Sequence, residues 1–210
     1  KIISATGIKY KYTSTKKDTA LNLGFLACKK LKFKKDIDAL LYVTQSPEHN
    51  LPTTACLLQD KLKLKKNILA FDINQGCSGF VYALFTAFSF LKQKNINKVL
   101  IVCSDTYTKY VKKGDRSCET IFSDGASAII INKNSKKKYN FNFGTDGSGS
   151  KNLIVKNSGA NYKKNIVPEL FMDGKNVFLF TTKMNSYNQY ELYIGITRAM
   201  NHLHIFIINE

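Results

Sequence analysis

The chain has 210 residues, 44% of them hydrophobic, so it can bury one sizeable core and is not intrinsically disordered. Its formal charge is +17, but arginine, on which readers of nucleic-acid bases rely, occurs only at Arg116 and Arg198. The longest apolar run is too short to cross a bilayer and no signal peptide is visible. We therefore expect a cytoplasmic protein with neither a membrane nor a nucleic acid among its partners.

The predicted elements alternate between helix and strand. Residues 18–31 predict a helix, because they begin with a capping aspartate, Asp18, carry apolar side chains at helical spacing and end in lysines. A short apolar strand follows at 38–44. Next come a helix at 53–62 that begins with threonine and a buried strand at 68–73. The helix predicted at 78–91 is apolar nearly all round and is therefore expected to be buried centrally. Strands are predicted at 98–104, 124–132 and 139–144. This alternation predicts an α/β layered fold around a mostly parallel sheet.

Residues 144–165 are rich in glycine, asparagine, serine and lysine, which predicts a surface excursion and a seam between two halves. A new element is expected to begin in "MDGKNVFLFTTK", residues 172–183. The five cysteines are odd in number and scattered, with no CxxC pair. Thiols are therefore expected rather than disulfides or a zinc site, and we expect no metal and no bound cofactor.

The stretch "FDINQGCSGF", residues 71–80, places Cys77 where a buried strand runs into a helix. Gly76 allows a tight turn, and Gly79 allows an acyl chain or another backbone to approach closely. Unpaired N–H groups at a helix N-terminus stabilise an anion, so the thiol pKa is expected to fall there. The residues alone leave two alternatives open, a buried structural thiol, which is the commoner case, and a nucleophile.

Several segments, in order and at similar spacing, resemble the β-ketoacyl-acyl carrier protein synthase III family of thiolase-like condensing enzymes. They are "ATGIKYKY", "DIDALLYVTQSPEHNLPTTACLLQDKL", "FDINQGCSGFVYAL", "VLIVCSDTYTKYVKKGDRSCETIFSDGASAIII" and "FMDGKNVFLF". The resemblance implies a thiolase-like layered fold, mostly its first half, with a mixed sheet covered by helices. It further implies an N-terminal half at 1–165, the start of a C-terminal half at 166–183 and an atypical tail at 184–210.

The resemblance also implies roles for particular residues. Cys77 would attack an acyl thioester of coenzyme A and hold the acyl group, which makes coenzyme A a substrate. Arg116, in "GDRS", becomes a candidate contact to the nucleotide end of coenzyme A, and Leu51, in "HNLPTTA", resembles a position that reaches the partner subunit's acyl pocket. Asp124 and Gly125 either shape the floor of the site or form a plain turn. Acyl carrier protein and a second copy of the chain are the expected partners.

The sequence also departs from the family. The His-Gln-Ala-Asn and Gly-Asn-Thr segments that complete the family's site do not occur, and Ala5 stands where an arginine is frequent. His202 and His204 do not match the missing histidine motif. We therefore expect decarboxylative condensation with malonyl-acyl carrier protein, which initiates fatty acid biosynthesis, to be impaired in this truncated chain. A non-decarboxylating acyltransferase and an inactive half-fold interaction module are the alternatives.

The tail has a different likeness. Residues 191–206 resemble the late motif of superfamily 1 DNA helicases, whose arginine corresponds to Arg198. No GxxxxGK[ST] phosphate-binding loop occurs in the sequence, so no nucleotide site can be assembled around that arginine.

Overall fold

The computed structural model describes residues 3, 7–31, 33–134 and 139–177. These residues fall into two units. The sheet unit comprises residues 12–109 and 123–143, and the hairpin unit comprises the described residues of 1–11, 110–122 and 144–210. The domain boundary at residue 165 stays a prediction from the sequence.

The sheet unit is a mixed four-stranded sheet with three helices. Its elements in chain order are α1 (Ala20–Lys30), β1 (Ala39–Val43), α2 (Thr54–Lys61), β2 (Leu69–Ile73), α3 (Gly79–Leu91), β3 (Lys98–Asp105) and β4 (Gly125–Asn132). The strand order is β2-β1-β3-β4, in which β1 runs parallel to both neighbours and β4 runs antiparallel to β3. The α/β class and the mixed sheet agree with the sequence-based expectation.

Apolar clusters cover both faces of this sheet. Leu40 and Tyr42 of β1 belong to the cluster that includes residues of α1 and α2, whereas Leu41 and Val43 belong to the cluster that includes residues of α3. All five residues of β1 are buried. The unbroken apolar sequence of β1 is thus explained by a central strand that is covered on both faces.

Three expectations from the sequence are wrong in detail. β2 lies at the edge of the sheet and is only partly buried. α3 is buried only along the stripe Gly79, Ala83, Ala87 and Leu91. Residues 139–144, which the structure describes, form no strand. Their alternating rings pack on α3 instead, with ring centroids 3.9 Å apart for Phe88 and Tyr139, 5.4 Å for Phe85 and Phe141, and 5.0 Å for Phe85 and Phe143.

The hairpin unit contains two antiparallel strands, β5 (Leu153–Lys156) and β6 (Glu169–Met172). Cys118 and Leu170 are buried in it. Residues 178–210, which include the predicted tail with Arg198, His202 and His204, lie outside the described residues. Within the described part of the chain, no helix has the length and apolar character needed to span a bilayer.

Candidate active site

Cys77 lies in the turn between β2 and α3. The carboxyl ends of the parallel strands β1, β2 and β3 meet at this edge of the sheet, which we call the Cys77 edge. The turn is closed by the Gly79 N–H, which donates to the Gly76 carbonyl at 3.0 Å. The Cys77 side chain is exposed, so this residue is not a packed core thiol. It sits directly before the first turn of a helix, where backbone N–H groups favour an anion.

The other cysteines differ from Cys77 in burial. Cys28 and Cys118 are buried, Cys103 is half-buried and Cys56 is exposed. Burial raises the pKa of the Cys28 thiol to about 12. Burial also raises the pKa of Cys118. Cys56 lies in the first turn of α2, with its sulfur 3.1 Å from the Thr53 hydroxyl. Cys77 and Cys56 are therefore the two thiols that a reagent in solution can reach.

Gly79, the first residue of α3, packs closely against β1. A Cβ atom at this position would lie 2.4 Å from Cγ1 of Val43, a buried residue at the end of β1. Such a distance is far below an ordinary carbon–carbon contact of about 3.5–4.0 Å. In the structure the group that approaches Gly79 closely is the Val43 side chain, whereas the approach of an acyl chain stays a prediction. This packing holds the start of α3, and with it the Cys77 turn, against the sheet.

Asp72 ties β2 to the start of α2. Its carboxylate accepts hydrogen bonds from the N–H groups of Thr54 and Ala55, each at 2.7 Å, whereas the Thr53 side chain makes no capping bond. An acidic group at this position satisfies unpaired N–H groups and complements the helix dipole. The sequence pattern placed Asp72 inside the strand predicted at 68–73 and assigned it no partner. The sequence feature that could have indicated this role is an acidic residue near the end of an apolar strand.

Asp105 organises the turn that follows β1. Its Oδ1 atom accepts from the N–H groups of Gln45 and Ser46 at 2.7 and 3.1 Å, and from the hydroxyls of Thr44 and Ser46, both at 3.1 Å. The Ser46 hydroxyl in turn accepts from the Thr106 N–H at 2.8 Å. Asp105 therefore joins the carboxyl ends of β1 and β3. Sequence reasoning missed this residue.

Asp124 has a structural role. It is 9% exposed, and its carboxylate accepts from the N–H groups of Ser14 and Thr108, both at 2.8 Å, and from both of their hydroxyls. An added Cβ at Gly125 would meet no atom within 4 Å. These bonds tie two loops of the Cys77 edge together, which is more than the plain turn of one alternative. The other alternative, a place in the floor of the site, stays a prediction.

The remaining predicted site residues lie in different units. Leu51 is 85% exposed, in the loop between β1 and α2, and thus belongs to the Cys77 edge. Arg116 is exposed in the hairpin unit. Its loop is ordered by Asp115, whose carboxylate accepts from the N–H and hydroxyl of Ser117 at 2.9 and 2.6 Å. These bonds lower the pKa of Asp115. The structure brings Leu51 to the Cys77 edge, and the role of Arg116 stays a prediction.

A family profile and curated relatives point to the same family. A profile described as 3-oxoacyl-[acyl-carrier-protein (ACP)] synthase III matches residues 71–147, which include the Cys77 turn. The putative 3-oxoacyl-[acyl-carrier-protein] synthase 3 of Campylobacter jejuni is 34% identical over 160 residues, 69% of this chain and 45% of its own. The beta-ketoacyl-[acyl-carrier-protein] synthase III of Neisseria gonorrhoeae is 32% identical over 192 residues, 88% of this chain and 60% of its own.

Solved structures show the same likeness. A crystal structure of a 3-oxoacyl-(acyl-carrier-protein) synthase III superposes with a TM-score of 0.79 and 33% identity, covering 87% of this chain and 61% of that chain. The 3-oxoacyl-(acyl-carrier protein) synthase of Burkholderia xenovorans gives a TM-score of 0.74 at 32% identity, covering 86% of this chain and 56% of its own.

The chain belongs to the 3-oxoacyl-[acyl-carrier-protein] synthase III family and has its thiolase-like fold. It spans 45% and 60% of the lengths of the Campylobacter and Neisseria relatives. The helicase likeness of residues 191–206 finds no support in these comparisons and falls outside the described residues.

Proposed function

We propose that the chain carries the acyl-accepting site of a 3-oxoacyl-[acyl-carrier-protein] synthase III, with Cys77 as the nucleophile. The observation that carries this proposal is the placement of an exposed thiol between the carboxyl end of β2 and the first turn of α3. Family membership and the match of the family profile to residues 71–147 support the same assignment.

The first half-reaction is thioester exchange. After losing its proton to solvent, the Cys77 sulfur attacks the thioester carbonyl carbon of acyl-coenzyme A and forms a new C–S bond. The carbonyl oxygen then bears the negative charge of a tetrahedral intermediate. When that intermediate collapses, the original C–S bond breaks, coenzyme A leaves as a thiolate, and the acyl group stays on Cys77. A nucleophile at a helix N-terminus suits this step because the aligned N–H dipoles favour an anionic sulfur.

Two further residues are proposed to bind substrate. Arg116 would contact the nucleotide end of coenzyme A, since a guanidinium can pair with a phosphate or stack on adenine. Leu51 would enter the acyl pocket of a second copy, and its 85% exposure in the single chain leaves the side chain accessible for that contact.

A homodimer is the proposed assembly. Within the described residues, β2 pairs with β1 alone, so its other edge presents unpaired backbone groups. Edge strands of this kind are ready to pair with another chain. The exposed Leu51 loop belongs to the same unit. A cytoplasmic location remains a prediction from the sequence.

Condensation with malonyl-acyl carrier protein is the proposed second half-reaction of the whole enzyme, in the initiation of fatty acid biosynthesis. Loss of carbon dioxide from the malonyl group builds an enolate-like charge that needs donors placed in advance. The family's histidine and asparagine segments for this task are absent from these 210 residues. We infer that this chain accepts an acyl group but does not condense it.

Acetyl-coenzyme A labelling tests the proposal. The protein is incubated with acetyl-coenzyme A and digested, and the acetylated peptides are quantified by mass spectrometry. Cys56 is the internal control because it is also exposed and also lies at the start of a helix. We expect acetylation of Cys77, none of Cys56 and none in Cys77→Ala, whose circular dichroism should be unchanged.

Equal labelling of both cysteines would mean unspecific thiol chemistry. No labelling at all would favour the inactive interaction module. A non-decarboxylating acyltransferase would instead label Cys77 and pass the acyl group to another acceptor, and acyl carrier protein without a malonyl group tests that outcome.

A further inference from the structure

Lysines of the sheet unit collect at the edge of the sheet that lies opposite Cys77. This lysine-rich edge consists of the last turns of α1 and α2, the connections that enter the amino ends of β1, β2 and β3, the first residue of β3 and the residue after β4. Its twelve described lysines are Lys29, Lys30, Lys34, Lys35, Lys61, Lys63, Lys65, Lys66, Lys92, Lys94, Lys98 and Lys133. Its three described acidic residues are Asp36, Asp38 and Asp60.

The Cys77 edge has the opposite balance. Its described lysines are Lys16, Lys17 and Lys109, and its described acidic residues are Asp18, Glu48, Asp72, Asp105 and Asp124. Surface loops occur at both edges, so a general bias of the sequence toward lysine would enrich both. A general bias toward lysine therefore does not explain why the lysines concentrate at one edge of the sheet.

The lysine-rich edge is one continuous surface held together by Asp38. Its carboxylate accepts from the N–H groups of Asn97 and Lys98 at 2.8 and 3.1 Å, and from the Lys65 ammonium at 2.6 Å. The Lys133 N–H donates to the Asn97 carbonyl at 2.8 Å. These bonds join the ends of three connections and of β4 side by side.

Interactions with nearby groups of the fold account for only some of the lysines at the lysine-rich edge. Lys29, Lys30 and Lys61 lie in last helical turns, where a cation complements the helix dipole. Lys63, Lys65 and Lys98 lie within ion-pair distance of the three aspartates. Lys92 is the C-cap residue of α3, the Lys133 ammonium donates to the Gln93 carbonyl at 2.6 Å, and the charge of Lys34 helps to lower the pKa of Asp36. Lys35, Lys66 and Lys94 are exposed and take part in none of these interactions.

We propose that the lysine-rich edge attaches the protein to an anionic phospholipid surface, with the Cys77 edge facing the solution. Each lysine near an anionic leaflet contributes about 1 kcal/mol of attraction, and that attraction is screened by salt. The sequence-based expectation of no membrane partner rested on the lack of a spanning segment, which surface attachment does not require.

Two other polyanionic partners fit this edge less well. Acyl carrier protein, if it delivers substrate to Cys77, must dock near the opposite edge. A nucleic acid is usually held with arginines, and among the described residues the one arginine, Arg116, belongs to the hairpin unit. Flexible lysine ammonium groups suit a fluid layer of phosphate head groups, which offers no fixed geometry.

Vesicle co-sedimentation of the full chain tests the proposal. The probes are phosphatidylcholine vesicles with and without about 30 mol% phosphatidylglycerol, at about 0.05 and 0.3 M NaCl, since screening grows over this range. The test variant carries Lys66→Gln and Lys94→Gln, and the control carries Lys16→Gln and Lys17→Gln, which removes the same charge from the Cys77 edge. A second test pair, Lys34→Gln with Lys35→Gln, guards against a misfolded variant.

We expect binding to the anionic vesicles only, strongest at low salt. Both test pairs should weaken it about tenfold or more, while the control pair changes it little. Cys77 of vesicle-bound protein should react with a maleimide as fast as in free protein. Absence of binding at low salt, equal loss in the control pair or protection of Cys77 would each overturn the proposal. Tighter binding to a short DNA duplex at equal phosphate concentration would overturn it in favour of a nucleic acid.

Discussion

Replacing Gly79 with alanine probes how the start of α3 is packed on the sheet. The new Cβ would lie 2.4 Å from Val43 Cγ1, roughly 1 Å or more inside an ordinary contact. Val43 is 4% exposed and β-branched, so its side chain has little freedom to move aside. Overpacking of this kind costs about 1–3 kcal/mol. Gly79→Ala should therefore destabilise the protein although alanine is the better helix former.

A second substitution isolates the clash. Val43→Ala removes Cγ1, after which the nearest atoms to the new Cβ are Gln75 Cβ at 3.6 Å and the Val43 Cβ at 3.8 Å, both ordinary contacts. Val43→Ala alone should cost about 2 kcal/mol through lost burial. In that background Gly79→Ala should cost almost nothing, so the two substitutions should show a coupling free energy of about 1–3 kcal/mol.

Urea unfolding of the four proteins measures this coupling. Acetylation of Cys77 by acetyl-coenzyme A, followed over time, reports whether the turn before α3 is displaced. Gly79→Ala should slow acetylation, and Val43→Ala should restore part of the rate. An equal cost of Gly79→Ala in both backgrounds, or no cost in either, would refute the packing argument.

Four other predictions concern single groups or the whole chain. Asp72→Ala removes the acceptor for two N–H groups of α2 and should lower the urea-derived unfolding free energy by about 0.5–2 kcal/mol. Partial burial raises the pKa of Asp38, but hydrogen bonds to its carboxylate outweigh this and leave the pKa lowered. Its stabilising contribution is therefore present above about pH 4 and lost as the pH falls through the folded-state pKa, so acid unfolding should be less steep in Asp38→Asn. Arg116→Ala should weaken coenzyme A binding by about 1–3 kcal/mol in calorimetry, with Lys113→Ala as the neighbouring control. With acetyl-coenzyme A and malonyl-acyl carrier protein supplied, the chain alone should release no carbon dioxide and form no 3-ketoacyl product. Turnover like that of a full-length relative would contradict this.

Local patterns in the sequence placed the main elements and the candidate nucleophile. The helix predicted from residue 78 begins at Gly79, and the predicted strands at 38–44 and 98–104 correspond to β1 and β3. Cys77 falls at the strand–helix junction that the pattern predicted. These features are readable because apolar periodicity and glycine placement depend on backbone geometry within a few residues. The capping residue expected for α1 is wrong by one position, since Thr19 and not Asp18 caps this helix.

The tertiary structure decided which surfaces those elements meet. The apolar pattern of β2 suits a central strand as well as an edge strand, and only the strand order places it at the edge. Residues 139–144 alternate like a strand, yet no strand of the described sheet pairs with them, and their rings pack on α3. The partners of Asp72, Asp105 and Asp124 lie 16 to 110 residues away along the chain. The lysines of the lysine-rich edge and the acidic residues of the Cys77 edge likewise come from segments that are far apart in the sequence. Such pairings depend on how distant segments are brought together, which no local period in the sequence encodes.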